Sequence, residues 1–145
     1  MSNDIEITPN PTRPQALTFL CVVSFIGAGL GAVSGLFLYM FHAEVIATIN
    51  SGAYKDIGFD MTVFSKINRN YFLYTGLLQA VALTGVRGMW VLRSLGFHYY
   101  AISQLLMLIV STIYIYRPSG VFPTFDVIFS SLFILLYFRF KDIMH

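Results

Sequence analysis

"QALTFLCVVSFIGAGLGAVSGLFLYMF", residues 15–41, carries no charged side chain, and the first charge after it is Glu44. A helix needs roughly 20 apolar residues to cross the ~30 Å hydrocarbon core of a bilayer, so this segment has length to spare. Inside it Gly27, Gly31 and Gly35 recur at four-residue spacing. On an α-helix each step of four turns by about 40°, so the three form a slowly drifting stripe. Ser24, Ala28, Ala32 and Ser34 border that stripe. In water each glycine weakens a helix. In lipid, small residues let helices approach closely, and the spacing reads as a packing surface.

Composition extends this reading to the whole chain. Of 145 residues, 57% are hydrophobic and only 11% charged. Soluble domains carry about 25% charged residues, and a chain this short cannot bury so much apolar surface within itself. Lipid is then the partner that covers it. No Pro-rich or Gly/Ser-rich linker divides the chain, which reads as one domain. A formal charge of +2, with its basic residues scattered, argues against nucleic acid as a partner. The single cysteine, Cys21, can form no internal disulfide.

Three more apolar segments follow, over residues 70–92, 97–116 and 122–140. The expected fold is therefore an all-α integral membrane protein, an antiparallel bundle of four transmembrane helices spanning about 15–41, 70–92, 97–116 and 122–140. Residues 1–14 read as a polar cytoplasmic tail, with Asp4, Glu6 and prolines at 9, 11 and 14; residues 15–145 form the helical domain. This tail is unlike a cleaved signal, which opens on a basic segment. Pro14 suits the start of the first helix, proline being tolerated in a first turn.

The breaks between segments support the count. The first helix is expected to continue through "HAEVIATIN" toward Ser51-Gly52. The long connection over residues 50–69, with its apolar-polar "FDMTVFSKI", suits a short helix lying in the membrane interface. "RSLGF" forces a tight hairpin, with Gly96 suited to a helix C-terminus. Pro118, Gly120 and Pro123 mark a turn; Thr124 is placed to cap the last helix, and Asp126 falls in its first turn, where a carboxylate complements the helix dipole. Aromatic residues gather at segment ends, as in interfacial belts. Arg13, Arg87, Arg93, Arg139 and Lys141 fall on one side, and Lys55, Lys66, Arg69 and Arg117 on the other, together with most of the acids. This bias places both termini in the cytoplasm. Arg87 and Trp90 then anchor the second span at the membrane interface, Arg87 by extending its side chain toward the headgroups.

Candidate functional residues are few. Ser24, Gly27, Gly31 and Gly35 form the packing face of the first helix. In the second, Gly76 and Ala80, followed by Thr84 and Gly88, form a complementary small-residue series. Gln79 and Gln104 lie deep in their spans, where an unpaired amide is unfavourable, and a hydrogen bond between them across the hairpin is expected. No Asp, Glu, Lys or Arg lies at mid-depth in a span, and no H-E-x-x-H, C-x-x-C or G-x-S-x-G occurs. The sequence therefore assigns no catalytic residue, no metal ligand and no cofactor. The expected function is a non-enzymatic membrane subunit or assembly module, packing through the glycine face against a second copy or a larger membrane complex. The alternative is a small transporter or channel for a lipid-like or hydrophobic solute.

Arg13, Pro14, Leu17, Thr18, Leu20, Cys21, Phe25, Ile26, Gly27 and Gly29 form an R-P-x-x-L-T-x-L-C-x-x-x-F-I-G-x-G segment. It resembles the first helix of uncharacterised small four-helix inner-membrane proteins of bacteria. The resemblance covers the first helix, and the rest only through topology and the turn before "GFHYYAISQ". It implies a multi-pass protein of the bacterial inner membrane, and no substrate.

Overall fold

The computed structural model describes residues 13–58, 62–117, 120 and 122–145, with backbone only at 57 and 62. Residues 1–12 of the expected tail, Asp60 and Pro118 lie outside the described residues. Among the described residues there are six α-helices and no strand: α1 (Gln15–Met40), α2 (His42–Asn50), α3 (Thr62–Lys66), α4 (Arg69–Trp90), α5 (Ser94–Ser111) and α6 (Thr124–Phe138). Two helices are long and apolar enough to cross a membrane, Gln15–Met40 and the continuous run Ser94–Tyr116, with mean hydropathies of 2.2 and 1.5. α4 is as long as such a span but carries Arg69, Asn70, Gln79 and Arg87, and α6 has 15 residues.

The burial pattern is inverted relative to a water-soluble helix. α1 buries Leu17, Leu20, Cys21, Ser24, Ala28, Ala32 and Gly35, a face of decreasing size, while Phe19, Leu30 and Val33 stand exposed at 69%, 67% and 70%. Small residues inside and large apolar residues outside is the arrangement that suits lipid, where close helix approach replaces hydrophobic collapse. Pro14 precedes the helix, and its carbonyl accepts the Thr18 backbone N–H at 3.1 Å and the Thr18 hydroxyl at 3.3 Å.

α4 is the central element, packed between α1 and α5. On the α1 side, Gly35 lies against Gly76 so closely that a Cβ on Gly35 would sit 2.9 Å from the Gly76 Cα. Gly31 meets the Gln79 side chain, and the order of these pairs makes the two helices antiparallel. On the α5 side, a Cβ on Gly85 would lie 2.6 Å from the Tyr100 backbone nitrogen, and one on Gly88 2.7 Å from the Gly96 Cα. The small-residue series of α4 thus serves two neighbours, and Gly88 does not meet α1 as its spacing suggests. Twelve residues separate Gly76 from Gly88, which rotates the second about 120° away from the first.

Two arginines fasten the ends of the α1–α4 pair. Arg13 stacks its guanidinium 3.7 Å over the Trp90 ring and donates Nη1–H to the Trp90 carbonyl at 2.8 Å. At the opposite end Arg69 lies 4.3 Å over the Tyr39 ring and donates Nε–H to the Tyr39 carbonyl, also at 2.8 Å.

Several local expectations need correction. The first helix does not run on through "HAEVIATIN": Phe41 (φ −106°, ψ 25°) interrupts it, and α2 starts anew, ending at Ser51 before Gly52 at φ +82°. The break lets His42 turn toward the long connection, where Nε2 lies 3.3 Å from the Ile67 carbonyl beside α3. Gly96 does not end a helix. It lies in the first turn of α5, wedged against Gly85, Gly88 and Met89. The turn is closed by Leu92 at φ +58°, with Arg93 N–H bonded to Gly88 O (2.9 Å) and Leu92 N–H to Met89 O (3.0 Å). This is the Schellman pattern, with leucine where glycine is usual. Thr124 is the first residue of α6, not its cap, and its hydroxyl turns to the Phe122 carbonyl.

Candidate functional site

α6 packs more sparsely than the other long helices, against α5 and one end of α1. Beside ring contacts of Tyr137 with Tyr100 and Phe138 with Phe97, it is attached by a series of polar contacts along one face. Asp126 Oδ2 accepts from the Ser111 hydroxyl at 3.2 Å, Ser130 donates to Gln104 Oε1 at 2.9 Å, and the buried Tyr137 donates to the Ser24 hydroxyl at 2.9 Å. These positions are spaced by four and seven residues, which returns them to the same side of a helix.

Because α6 makes few contacts with α1, clefts that open to the surface remain between the helices. One chamber, of about 360 Å³, is lined by Ser34 and Leu38 of α1, Tyr71, Thr75 and Gln79 of α4, Gln104, Met107 and Ser111 of α5, and Asp126 and Phe129 of α6. A second, of about 310 Å³, is lined by Ser24, Gly27, Tyr100 and Phe133. The two share Gln79, Gln104, Phe129 and Ser130 as walls. This is a cleft of hydroxyls, amides and aromatic rings inside a molecule whose outer faces are apolar.

At the Asp126 end the hydrogen bonding has a fixed direction. A carboxylate only accepts, so the Ser111 hydroxyl donates to Asp126. Its oxygen is then free to accept the proton of the Tyr71 hydroxyl, 3.4 Å away. The backbone widens immediately after Ser111 into a π-helical stretch, Thr112–Tyr116. Such stretches are rare in helices and concentrate at functional sites.

The residues singled out from sequence separate into groups. Gly31, Gly35 and Gly76 lie in the α1–α4 seam, so α4 of the same chain fills that part of the groove. A Cβ placed on Gly27 would meet nothing within 4 Å, and this glycine faces the second chamber, because the stripe has drifted about 80° from Gly35. Ser24 is buried under Tyr137, and Ala80 is half-buried in α4. The expected Gln79–Gln104 hydrogen bond is not formed. Gln79 is turned toward Gly31, and Gln104 bonds Ser130 on α6 instead. Trp90 is held under Arg13 with Phe25 edge-on at 6.0 Å, and Arg87 is exposed beside Arg93 at the rim of a shallow depression.

Sequence reading assigns Asp126 only to a helix terminus, takes Tyr71 and Tyr137 only as aromatic residues of the interfacial belts, and passes over Ser111 and Ser130. The signal for them is positional: Gln104 and Ser111, and likewise Ser130 and Tyr137, are seven residues apart, and each pair places polar groups on one face of an otherwise apolar helix. No family model, curated protein or solved structure matches the chain.

Proposed function

We propose that this is a multi-pass protein of the bacterial inner membrane, an antiparallel bundle in which α1, α4, α5 and α6 all cross the bilayer with both termini cytoplasmic. Its interior cleft holds a small amphipathic solute for binding or passage. The observation that carries the solute reading is the cleft of mixed polar and apolar lining, in which the half-buried Gln79 amide has no hydrogen-bond partner among the described residues. A polar amide in an apolar body calls for a partner, and a bound molecule with its own polar group provides one.

The membrane reading draws support from the apolar exterior and from the two arginine–aromatic clamps. Along α4, Arg69 and Trp90 are about 32 Å apart, close to the thickness of a hydrocarbon core. Cationic and aromatic groups at that separation suit two interfaces. α6, about 23 Å long, reaches the interfaces through Phe122 and Phe140 on its flanks. The assembly-module reading retains one supporting observation: Gly27 and Gly29 are uncovered.

Neighbouring residues on α1 provide the test. Ser34 lines the cleft, and Val33 points outward with 70% exposure. In proteoliposomes, a cysteine at Ser34→Cys should react with the water-soluble trimethylammonioethyl methanethiosulfonate, while Val33→Cys, facing lipid, should not. Benzyl alcohol should slow the Ser34→Cys reaction by occupying the cleft. Val33→Cys labelling as fast as Ser34→Cys would overturn the membrane placement. Absence of any protection by benzyl alcohol would overturn the solute site.

A further inference from the structure

Among the described residues, Asp126 is the only charged side chain that lines either chamber. Among these residues it has no ion-pair partner, and the one hydrogen bond its carboxylate receives from them is that of Ser111. Bases exist at the same end of the molecule, but they are engaged or outside the cleft: Arg69 is clamped on Tyr39, and Arg117 does not line the chambers. Asp126 itself is exposed at the mouth of the cleft, where its carboxylate attracts a positive partner and repels an anion. The Tyr71–Ser111 relay ends on the carboxylate and holds it in place, since hydrogen bonds to a charged acceptor are the stronger kind.

The remainder of the first chamber matches the body of such a partner. Tyr71 and Phe72 of α4 and Phe129 of α6 contribute aromatic surface to the cleft that Asp126 lines. Ring faces attract cations, and aromatic groups near a carboxylate are the usual setting for ammonium recognition. Leu38, Met107 and Leu108 provide apolar lining beyond them. A volume of about 360 Å³ admits a small organic molecule.

We infer that the cleft selects small organic cations, molecules with an apolar or aromatic body and one amine or quaternary ammonium group, and that the charged group docks at Asp126. This rests on the solute reading above and specifies its ligand chemistry.

The test uses the Ser34→Cys protein in proteoliposomes and the uncharged reagent methyl methanethiosulfonate, so that reagent charge plays no part. Benzyltrimethylammonium should protect the cysteine at a concentration at least tenfold below that of benzenesulfonate, an anion of similar size. Asp126→Asn, which keeps an acceptor for Ser111, should abolish the preference between the two ions. Equal protection by the two ions, or a preference unchanged by Asp126→Asn, would overturn cation selection; if benzyl alcohol still protects, the solute site itself survives that result. Failure of all three molecules to protect removes both readings. The comparison of the two ions on the Asp126 protein requires no second substitution, so it decides the matter even if Asp126→Asn fails to fold.

Discussion

Substituting alanine along the glycine stripe of α1 should give opposite results at its two ends. At Gly35 a new Cβ would sit 2.9 Å from the Gly76 Cα and 3.0 Å from both the Gly76 nitrogen and the Phe72 carbonyl oxygen. All three are backbone atoms, so no side chain can rotate away. α1 and α4 must separate by roughly 0.5–1 Å, and a gap of that size forfeits a quarter to a half of each contact's dispersion energy. Overpacking of this kind costs about 1–3 kcal/mol, and rigid surroundings place Gly35→Ala near 2–3 kcal/mol. Replacing a helical glycine returns about 0.5–1 kcal/mol, leaving a net loss of about 2 kcal/mol. At Gly27 nothing lies within 4 Å of the new methyl, so only the helix gain remains, about 0.5–1 kcal/mol of stabilisation. The assay is reversible unfolding in mixed detergent micelles, titrated with dodecyl sulfate and followed by ellipticity. A net difference of about 2.5–3 kcal/mol between the two variants corresponds to roughly a 100-fold ratio of folding constants. If Gly35→Ala is as stable as Gly27→Ala, α4 does not fill the groove, and the internal seam is refuted.

Gly96→Ala should be at least as damaging as Gly35→Ala, because its Cβ would meet Met89 N, Gly85 O and Gly88 C together; a melting temperature within about a degree of the unsubstituted protein would contradict the α4–α5 seam. A double-mutant cycle of Tyr137→Phe and Ser24→Ala should return a coupling of about 0.6 kcal/mol, the average for hydrogen bonds between helices in a membrane, and additive effects would show that this bond contributes nothing to holding α6.

Much of the layout is legible in the sequence because it depends on segment composition. Charge-free runs, prolines and the short "RSLGF" connection locate the long helices, since each acts through local chemistry. The side on which a residue faces depends on which helix becomes its neighbour. Gln79 and Gln104 read as a pair because consecutive helices form a hairpin. In the molecule Gln79 is drawn into the space that Gly31 leaves, and Gln104 is taken by Ser130, far away in sequence. Gly96 reads as a helix terminator on its general preference, yet the close approach of α4 requires glycine there, and Leu92 accepts the left-handed turn. The cleft is not legible at all, because it arises from where α6 fails to touch α1, and no single segment encodes a gap.

The tether at Tyr137 makes α6 a lever. Asp126 lies eleven residues away, about 16 Å along the helix axis. A tilt of only about 5° around Tyr137 carries Asp126 through roughly 1.5 Å, since arc length is radius times angle. That displacement exceeds the tolerance of the 3.2 Å Ser111–Asp126 hydrogen bond and changes the Ser130–Gln104 contact nearer the pivot by only about two-thirds as much. A tilt of α6 about Tyr137 would therefore break the Ser111–Asp126 bond before the Ser130–Gln104 bond, and both before the Tyr137–Ser24 bond.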